Sequence, residues 1–468
     1  MAAIKWSFLL LLTLQCLRAE EDDVFGEDEK GTYILALKDN YGSGTDTYKQ
    51  YYTQTHNGTS NVHILYILGE APNEVKTPEF TADSTSYPDI VDDLHETFNA
   101  TVFKLEHRYY SRSYPVHNPE TAKDFKYLSS DQAIEDLSRF IRAQNEIIPN
   151  AKWVVIGGSY PGMLSLWFRQ MYPDLTVGAI SSSAPIKSVV NFTSFMEISQ
   201  EGYKKRNPEC HGKLEIALKQ FTTMIKDQNK YDDLKKLYKD LSKRYDLTNE
   251  HERNWFSYHV VSDAYTQIQF NVDGICKNFD VKTEKPLTEM ASHFEFTADD
   301  FQNKTWGSWL WQVCNEFGFF YSPNDKSCFA KGSYDIKEVF QKECEQRFGS
   351  NYTYEQIEKY VQNSWDIYGV TNIFNTKNMI ITNSELDPWS GQGLTQYNTD
   401  DKSIVTFTIQ NGTHCHDLKA GNNPHVFEAR KKYKEEIRKW LADKPKAANS
   451  LQVSVIGMFV LCFFVLFY

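Results

Sequence analysis

Positive charge is what this chain has least to spare. Its 50 Lys and Arg face 62 Asp and Glu, a net charge of -12 over 468 residues, and the cations lie scattered between acids along helical stretches. That balance offers no electrostatic footprint for a phosphate backbone and excludes nucleic acid as a partner. Paired C-x-x-C spacings are missing among the 8 cysteines, so no zinc ligand set is formed, and neither a metal nor another cofactor is expected. The N-terminal apolar run, Trp6 to Leu17, is shorter than the roughly 20 residues a membrane helix needs. Internal repeats are absent. With 41% hydrophobic and 15% aromatic residues the chain can bury a large core, which excludes disorder for most of it.

Lys5, the apolar run and Arg18-Ala19 before an acidic stretch read as a secretory signal peptide, residues 1–19. Secretion agrees with six Asn-x-Ser/Thr sequons, at Asn57, Asn99, Asn191, Asn303, Asn351 and Asn411, all expected to carry glycans. Once Cys16 leaves with the signal and Cys462 is assigned to the tail, Cys210, Cys276, Cys314, Cys328, Cys344 and Cys415 remain. An even set in an oxidising compartment reads as disulfides, with 15 connectivities allowed. Residues 446–468 end in an almost wholly apolar segment after small residues, which reads as a GPI-attachment signal or a terminal membrane helix, hence membrane attachment.

Between these ends the chain changes character twice. Short apolar runs such as Ile64 to Leu68, Thr101 to Leu105 and Trp153 to Ile156 alternate with helical patterns, among them one using Ala133, Leu137, Phe140 and Ile141, with Ser130 or Asp131 as its N-cap. Such alternation implies a mostly parallel sheet covered on both faces. From about residue 190, Leu214, Leu218, Phe221 and Ile225, then Leu234, Leu237, Tyr238 and Leu241, recur at helical spacing. Sheet patterns return at Met379 to Thr382 and Ile404 to Ile409, closed by an amphipathic helix. The expected fold class is α/β: an α/β-hydrolase sheet in two parts, 20–189 and 369–445, with an inserted, mostly helical cap at 190–368.

The stretch Val154-Val155-Ile156-Gly157-Gly158-Ser159-Tyr160-Pro161-Gly162 is a strand, a glycine-flanked serine and the start of a helix, the signature of a nucleophile elbow. Pro161 stands where a second glycine is usual, in a first helical turn that tolerates it. A serine hydroxyl needs a base, and the imidazole needs a carboxylate to fix its tautomer. In the order Ser, acid, His, the returning strands run into Glu385-Leu386-Asp387-Pro388-Trp389 and into Gly412-Thr413-His414-Cys415-His416. Asp387 and Glu385 compete as the acid, His414 and His416 as the base. Tyr160, the residue after the serine, brings one amide to an oxyanion hole.

Together with Leu105-Glu106-His107-Arg108-Tyr109-Tyr110 and Cys314-Asn315-Glu316-Phe317-Gly318-Phe319-Phe320, these motifs resemble the family of lysosomal Pro-X carboxypeptidase, dipeptidyl peptidase II and thymus-specific serine protease, in order from about residue 33 to 441. The resemblance implies a serine exopeptidase acting after proline on proline-containing peptides, with Ser159 as nucleophile, Asp387 as orienting acid and His414 as base. It also implies a lysosome-like, vacuolar, secreted or cell-surface location, activity reaching mildly acidic pH, and homodimerisation as an open alternative. Gly69, in Leu68-Gly69-Glu70-Ala71 where the family usually has Gly-Gly-Glu-Gly, is the second oxyanion donor the resemblance implies, and Glu106, Arg108 and Glu316 are candidates for capturing a substrate terminus. Trp389, Trp309 to Gln312 and Phe317 to Tyr321 are candidates for the walls of a proline pocket. An esterase or lipase of the same fold, or an inactive surface binding protein, are the rival readings.

Overall fold

The computed structural model describes residues 24–70, 89–294, 304–326, 331–369, 373, 375–395 and 403–443; the leader 1–19, Asn303, Cys328 and the tail 446–468 lie outside them. Nine strands form one sheet: β1 (Phe25–Asp28), β2 (Gly31–Leu37), β3 (Thr47–His56), β4 (Val62–Ile67), β5 (Thr101–Leu105), β6 (Lys152–Gly158), β7 (Gly178–Ser182), β10 (Met379–Ser384) and β11 (Ile404–Ile409), in the order β1-β2-β3-β5-β4-β6-β7-β10-β11. From β5 through β11 every pairing is parallel, and β1 to β3 add an antiparallel edge. A smaller parallel pair joins β8 (Val189–Phe192) to β9 (Gly318–Tyr321).

The central strand β6 shows why this sheet is covered twice. Trp153 and Val155 face one core with Leu65, Phe103, Phe140 and Met163, while Val154 and Ile156 face another with Ile64, Val102, Ile180, Ile380, Tyr433 and Trp440. A strand apolar on both faces must be covered by helices on both. One layer is built from α2 (Ser130–Ile147) and α3 (Tyr160–Met171), the other from α1 (Ile90–Phe98) and α9 (Pro424–Ala442).

The described residues between β8 and β10 are mostly helical apart from β9 and pack a third core, which they share with Tyr109, Tyr110, Phe125 and Leu128 of the sheet-bearing part. The longer helices of this insertion are α4 (Thr193–Arg206), α5 (Pro208–Met224), α6 (Glu250–Thr266), α7 (Lys304–Gln312) and α8 (Tyr354–Tyr368). At the start of α5 the Asn207 side chain accepts from the N–H of Cys210 and Pro208 takes the first position, the arrangement an N-cap and a proline impose. Leu214, Leu218 and Phe221 then fall on the buried face. Disulfides Cys210–Cys276 and Cys314–Cys344 staple this region. Cys415 departs from the expectation of pairing and is a free thiol, packed against the catalytic layer at Ser182 and Gly158. The N-cap of α2 is also shifted: it is Ser129, and the N–H of Ser130 is satisfied by Glu316 from the helical insertion.

Candidate active site

The candidate residues follow the carboxyl ends of four parallel strands, two of which, β4 and β6, flank the point where the strand order reverses: β5 lies to one side of β4 and β6 to the other. In open α/β sheets that reversal opens a crevice at the carboxyl ends of the strands. Gly69 follows β4, Ser159 follows β6, Asp387 follows β10 and His414 follows β11.

Ser159 has φ 62 and ψ -133, backbone that a side-chain-bearing residue adopts only when its surroundings enforce it. Its N–H donates to the carbonyl of Ser182 on β7 at 2.8 Å, and its own carbonyl accepts from Gly162 at 2.9 Å, so the turn is tied on both sides. Two glycines let neighbouring backbone come close. A Cβ on Gly158 would sit 2.8 Å from Cys415 Sγ, and one on Gly69 would sit 2.5 Å from Cγ of Pro161. The loop holding His414 is thus packed on the residue before the serine, and Gly69 runs along the first turn of α3.

Asp387 is fully buried. One carboxylate oxygen accepts from the N–H of Trp389 at 3.0 Å and the other lies 2.8 Å from His414 Nδ1. A carboxylate can only accept, so the ring proton sits on Nδ1 and Nε2 is left bare. The rivals are occupied elsewhere. Glu385 pairs with Lys205 and accepts from the N–H of Asn411. His416 Nδ1 accepts from the N–H of Thr413 in its own turn. Burial pushes the His414 imidazole down, but the Asp387 carboxylate, helped by Cys415, outweighs it and holds the ring well above its ordinary 6.5. That direction opposes the expectation of activity at mildly acidic pH, because a charged imidazole accepts no proton. The N–H of His414 donates to Gln269 of the helical insertion at 2.9 Å, which ties the base loop to the cap.

An aromatic wall runs from the elbow to the base. Tyr160 lies 5.1 Å from Phe317 at a tilt, Phe317 stacks on Phe319 at 5.9 Å, Phe319 meets Trp389 edge-on at 5.3 Å, and Trp389 lies 6.2 Å from His414, all between ring centroids. Trp309 and Tyr321 join it. Trp311 does not: it packs on Phe125 and Phe348 and donates to the carbonyl of Leu128.

Three of the expected terminus-capturing residues are corrected. Arg108 is entirely buried, doubly bonded to Asp136 at 2.6 and 2.7 Å, and donates to the carbonyls of Leu37, Lys38 and Tyr127. Glu106 is buried against Arg112, Ser111 and Ser113. Glu316 is turned inward onto Ser130 and Gln312. Their polar atoms are spent on the fold, leaving nothing for a substrate. Asn57, Asn99, Asn191, Asn351 and Asn411 are exposed, where a glycan can be attached; the Asn99 amide, however, already bonds to Thr59.

Residues 39–296 and 276–435 match the family described as Serine carboxypeptidase S28. The chain belongs to the S28 family. Among its S28 relatives, lysosomal Pro-X carboxypeptidase of Mus musculus is 29% identical over 395 residues, 75% of this chain and 77% of the relative. The Bos taurus protein of the same name is 27% identical over 436 residues, 83% of each chain. A prolyl carboxy peptidase like protein 5 of Caenorhabditis elegans is 27% identical over 419 residues, 76% and 80%. S28 membership makes this chain a serine-type peptidase, and its mostly parallel, doubly covered sheet is that of an α/β-hydrolase. In this S28 chain His107 and Gln312 went unnoticed as partners of the Tyr160 hydroxyl. Each is a polar residue inside an aromatic motif, and sequence spacing has no means of bringing positions 107, 160 and 312 together.

Proposed function

We propose that this S28 chain is an exopeptidase that hydrolyses the bond after proline, a carboxypeptidase by its likeness to the Pro-X enzymes, through an acyl-enzyme on Ser159. The observation that carries the reading is the 2.8 Å bond from His414 Nδ1 to buried Asp387 beside the elbow. It leaves Nε2 as the free base. His414 Nε2 takes the Ser159 proton as Oγ attacks the prolyl carbonyl carbon; the resulting oxyanion is met by the amides of Tyr160 and Gly69. The imidazolium, steadied by Asp387, then gives its proton to the departing amine as the C–N bond breaks. Water repeats the sequence and frees Ser159. A proline ring offers surface and no N–H, which suits the wall of Phe317, Phe319 and Trp389.

The partners are proline-containing peptides, and the place of action is the secretory pathway or lysosome, as the relatives' names and the leader suggest. Among the described residues no helix is long and apolar enough to cross a membrane, so attachment rests on the tail. The test is product analysis with a peptide holding proline at its second and penultimate positions. Release of one C-terminal residue supports the proposal. An N-terminal dipeptide makes it a dipeptidyl peptidase, and cleavage indifferent to proline refutes the specificity.

A further inference from the structure

Behind the elbow, side chains of the catalytic layer and of the helical insertion share a closed set of hydrogen bonds whose hydrogens can be counted. His107 Nδ1 lies 2.6 Å from the carbonyl of Arg108, which only accepts, so Nδ1 carries the ring proton and Nε2 is bare. Burial, pushing the imidazole down to about 4, keeps it neutral. The Tyr160 hydroxyl therefore donates to His107 Nε2, 2.9 Å away. Gln312 is oriented by Tyr110, whose hydroxyl donates to Oε1 at 2.5 Å. Its Nε2 is then free to donate to the Tyr160 oxygen at 2.9 Å and to Glu316 Oε2 at 3.3 Å.

Ser130 Oγ closes the set, 3.2 Å from the Tyr160 oxygen and 3.1 Å from Glu316 Oε2. It has one hydrogen. If Glu316 is ionised, that hydrogen goes to the carboxylate, and the Ser130–Tyr160 contact holds none, two oxygens facing each other. If Glu316 is protonated, the acid donates to Ser130 and Ser130 donates to Tyr160. Every contact then carries one hydrogen.

We infer that Glu316 is held as a neutral carboxylic acid whose proton completes a relay from the cap through Ser130 to Tyr160, making Glu316 a positioning residue for the oxyanion amide. The inference rests on the proposed role of the Tyr160 amide. Burial competes over that proton with donors that favour the anion: the N–H of Ser130, Gln312 Nε2 and the Ser130 hydroxyl. The N–H of Ser130, at the start of α2, donates to Oε1 at 2.7 Å and favours the anion. Burial favours the acid and prevails, pushing the carboxyl up to about 7. Of the groups facing it, Asp131 on α2 adds negative charge that disfavours the anion, while Tyr110 after β5, Tyr160 on α3 and Tyr368 on α8 are hydroxyls held neutral by burial. Glu70, itself raised by burial, faces Tyr110 and Tyr160. Below neutrality the relay is complete; above it Glu316 ionises, Ser130 turns to the carboxylate and Tyr160 loses a bond on the cap side.

Glu316→Gln mimics the protonated acid at all pH, its amide donating to Ser130 at the cost of the long contact from Gln312. The expected result is a ratio of kcat/KM, variant over native, that is flat below pH 7 and rises above it to level off at up to about tenfold, the worth of one hydrogen bond. The ionisation of His414, common to both proteins, cancels in that ratio. A flat ratio from pH 6 to 9, in a variant that is folded and whose Ser159 reacts with a fluorophosphonate, overturns the inference. Failure of the native protein to react at Ser159 instead sinks the proposed function. Infrared difference spectra of the native protein give a second readout: a protonated-carboxyl C=O band at pH 5, absent from Glu316→Gln and bleaching as pH rises through about 7. No such band in the folded native protein refutes the inference as well.

Discussion

Replacing Asp387 by Asn keeps the shape of the acid loop while removing its charge. The side chain is fully buried and holds His414 Nδ1 at 2.8 Å. Once His414 takes the serine proton, it and the carboxylate are opposite unit charges with centres about 4 Å apart, worth ~4 kcal/mol at the effective dielectric of about 20 that describes such sites. At about 1.4 kcal/mol per tenfold, that stabilisation alone is roughly three powers of ten in rate. Asparagine also presents an N–H to Nδ1 as readily as an acceptor, so part of the population adopts the wrong tautomer, and the total loss is about 10⁴ in kcat. The imidazole falls as well, because burial is then opposed by Cys415 and no longer by the carboxylate. The assay is kcat and kcat/KM on a chromogenic prolyl substrate, with circular dichroism to confirm the fold. Glu385→Gln is the control, since its partners are Lys205 and Asn411, and it should stay within a few fold. A kcat for Asp387→Asn within tenfold of native, or a larger loss in the control, would refute the reasoning.

The native acid limb follows from the same pair: the base must be neutral, its imidazole lies well above 6.5, and kcat/KM should fall as pH drops through that raised value; full activity at pH 5 on a prolyl substrate would contradict it. Arg108→Ala leaves Asp136 buried and unpaired, costing about 3–5 kcal/mol of stability; the loss should appear in urea unfolding and leave KM of the surviving folded protein unchanged, whereas a selective rise in KM would restore Arg108 as a substrate ligand. Removing the Cys210–Cys276 bridge by a double Ser substitution frees a loop of 66 residues, a loss of about 4 kcal/mol by chain entropy, read as a lower urea midpoint. Cys415→Ala leaves the Asp387–His414 bond in place but removes a group that helps raise the imidazole, so kcat should stay within a few fold while the acid limb moves to lower pH, both checked on the same substrate.

Much of the sheet is legible because period and burial agree. The runs at Ile64, Thr101, Trp153 and Met379 are apolar on both faces, as a central parallel strand must be; the run at Ile404 is the edge strand β11, part-exposed between its buried ends. The strand β7, Gly-Ala-Ile-Ser-Ser, is not legible that way, since small residues there make room for its neighbours and carry no apolar run. The elbow and the two later loops that carry an acid and a histidine were readable because the turn chemistry is local and chain order supplies the rest. Choosing Asp387 over Glu385 from residues alone was not, because both lie on one loop and only a partner 27 positions away separates them. Glu106, Arg108 and Glu316 misled for a physical reason: a charged residue inside an aromatic motif reads as functional, and whether it points to a cleft or to a buried partner depends on contacts such as Arg108 with Asp136.

The most direct test of the central claim is covalent capture of the nucleophile. The native protein and Ser159→Ala are each treated with a fluorophosphonate, digested and mapped by mass spectrometry, and prolyl-substrate cleavage is followed in parallel. The account predicts a single adduct on the peptide containing Ser159, with cleavage lost in step with labelling, and neither label nor cleavage in Ser159→Ala. Cleavage persisting in folded Ser159→Ala, or an adduct on another serine that tracks the loss of activity, would contradict it.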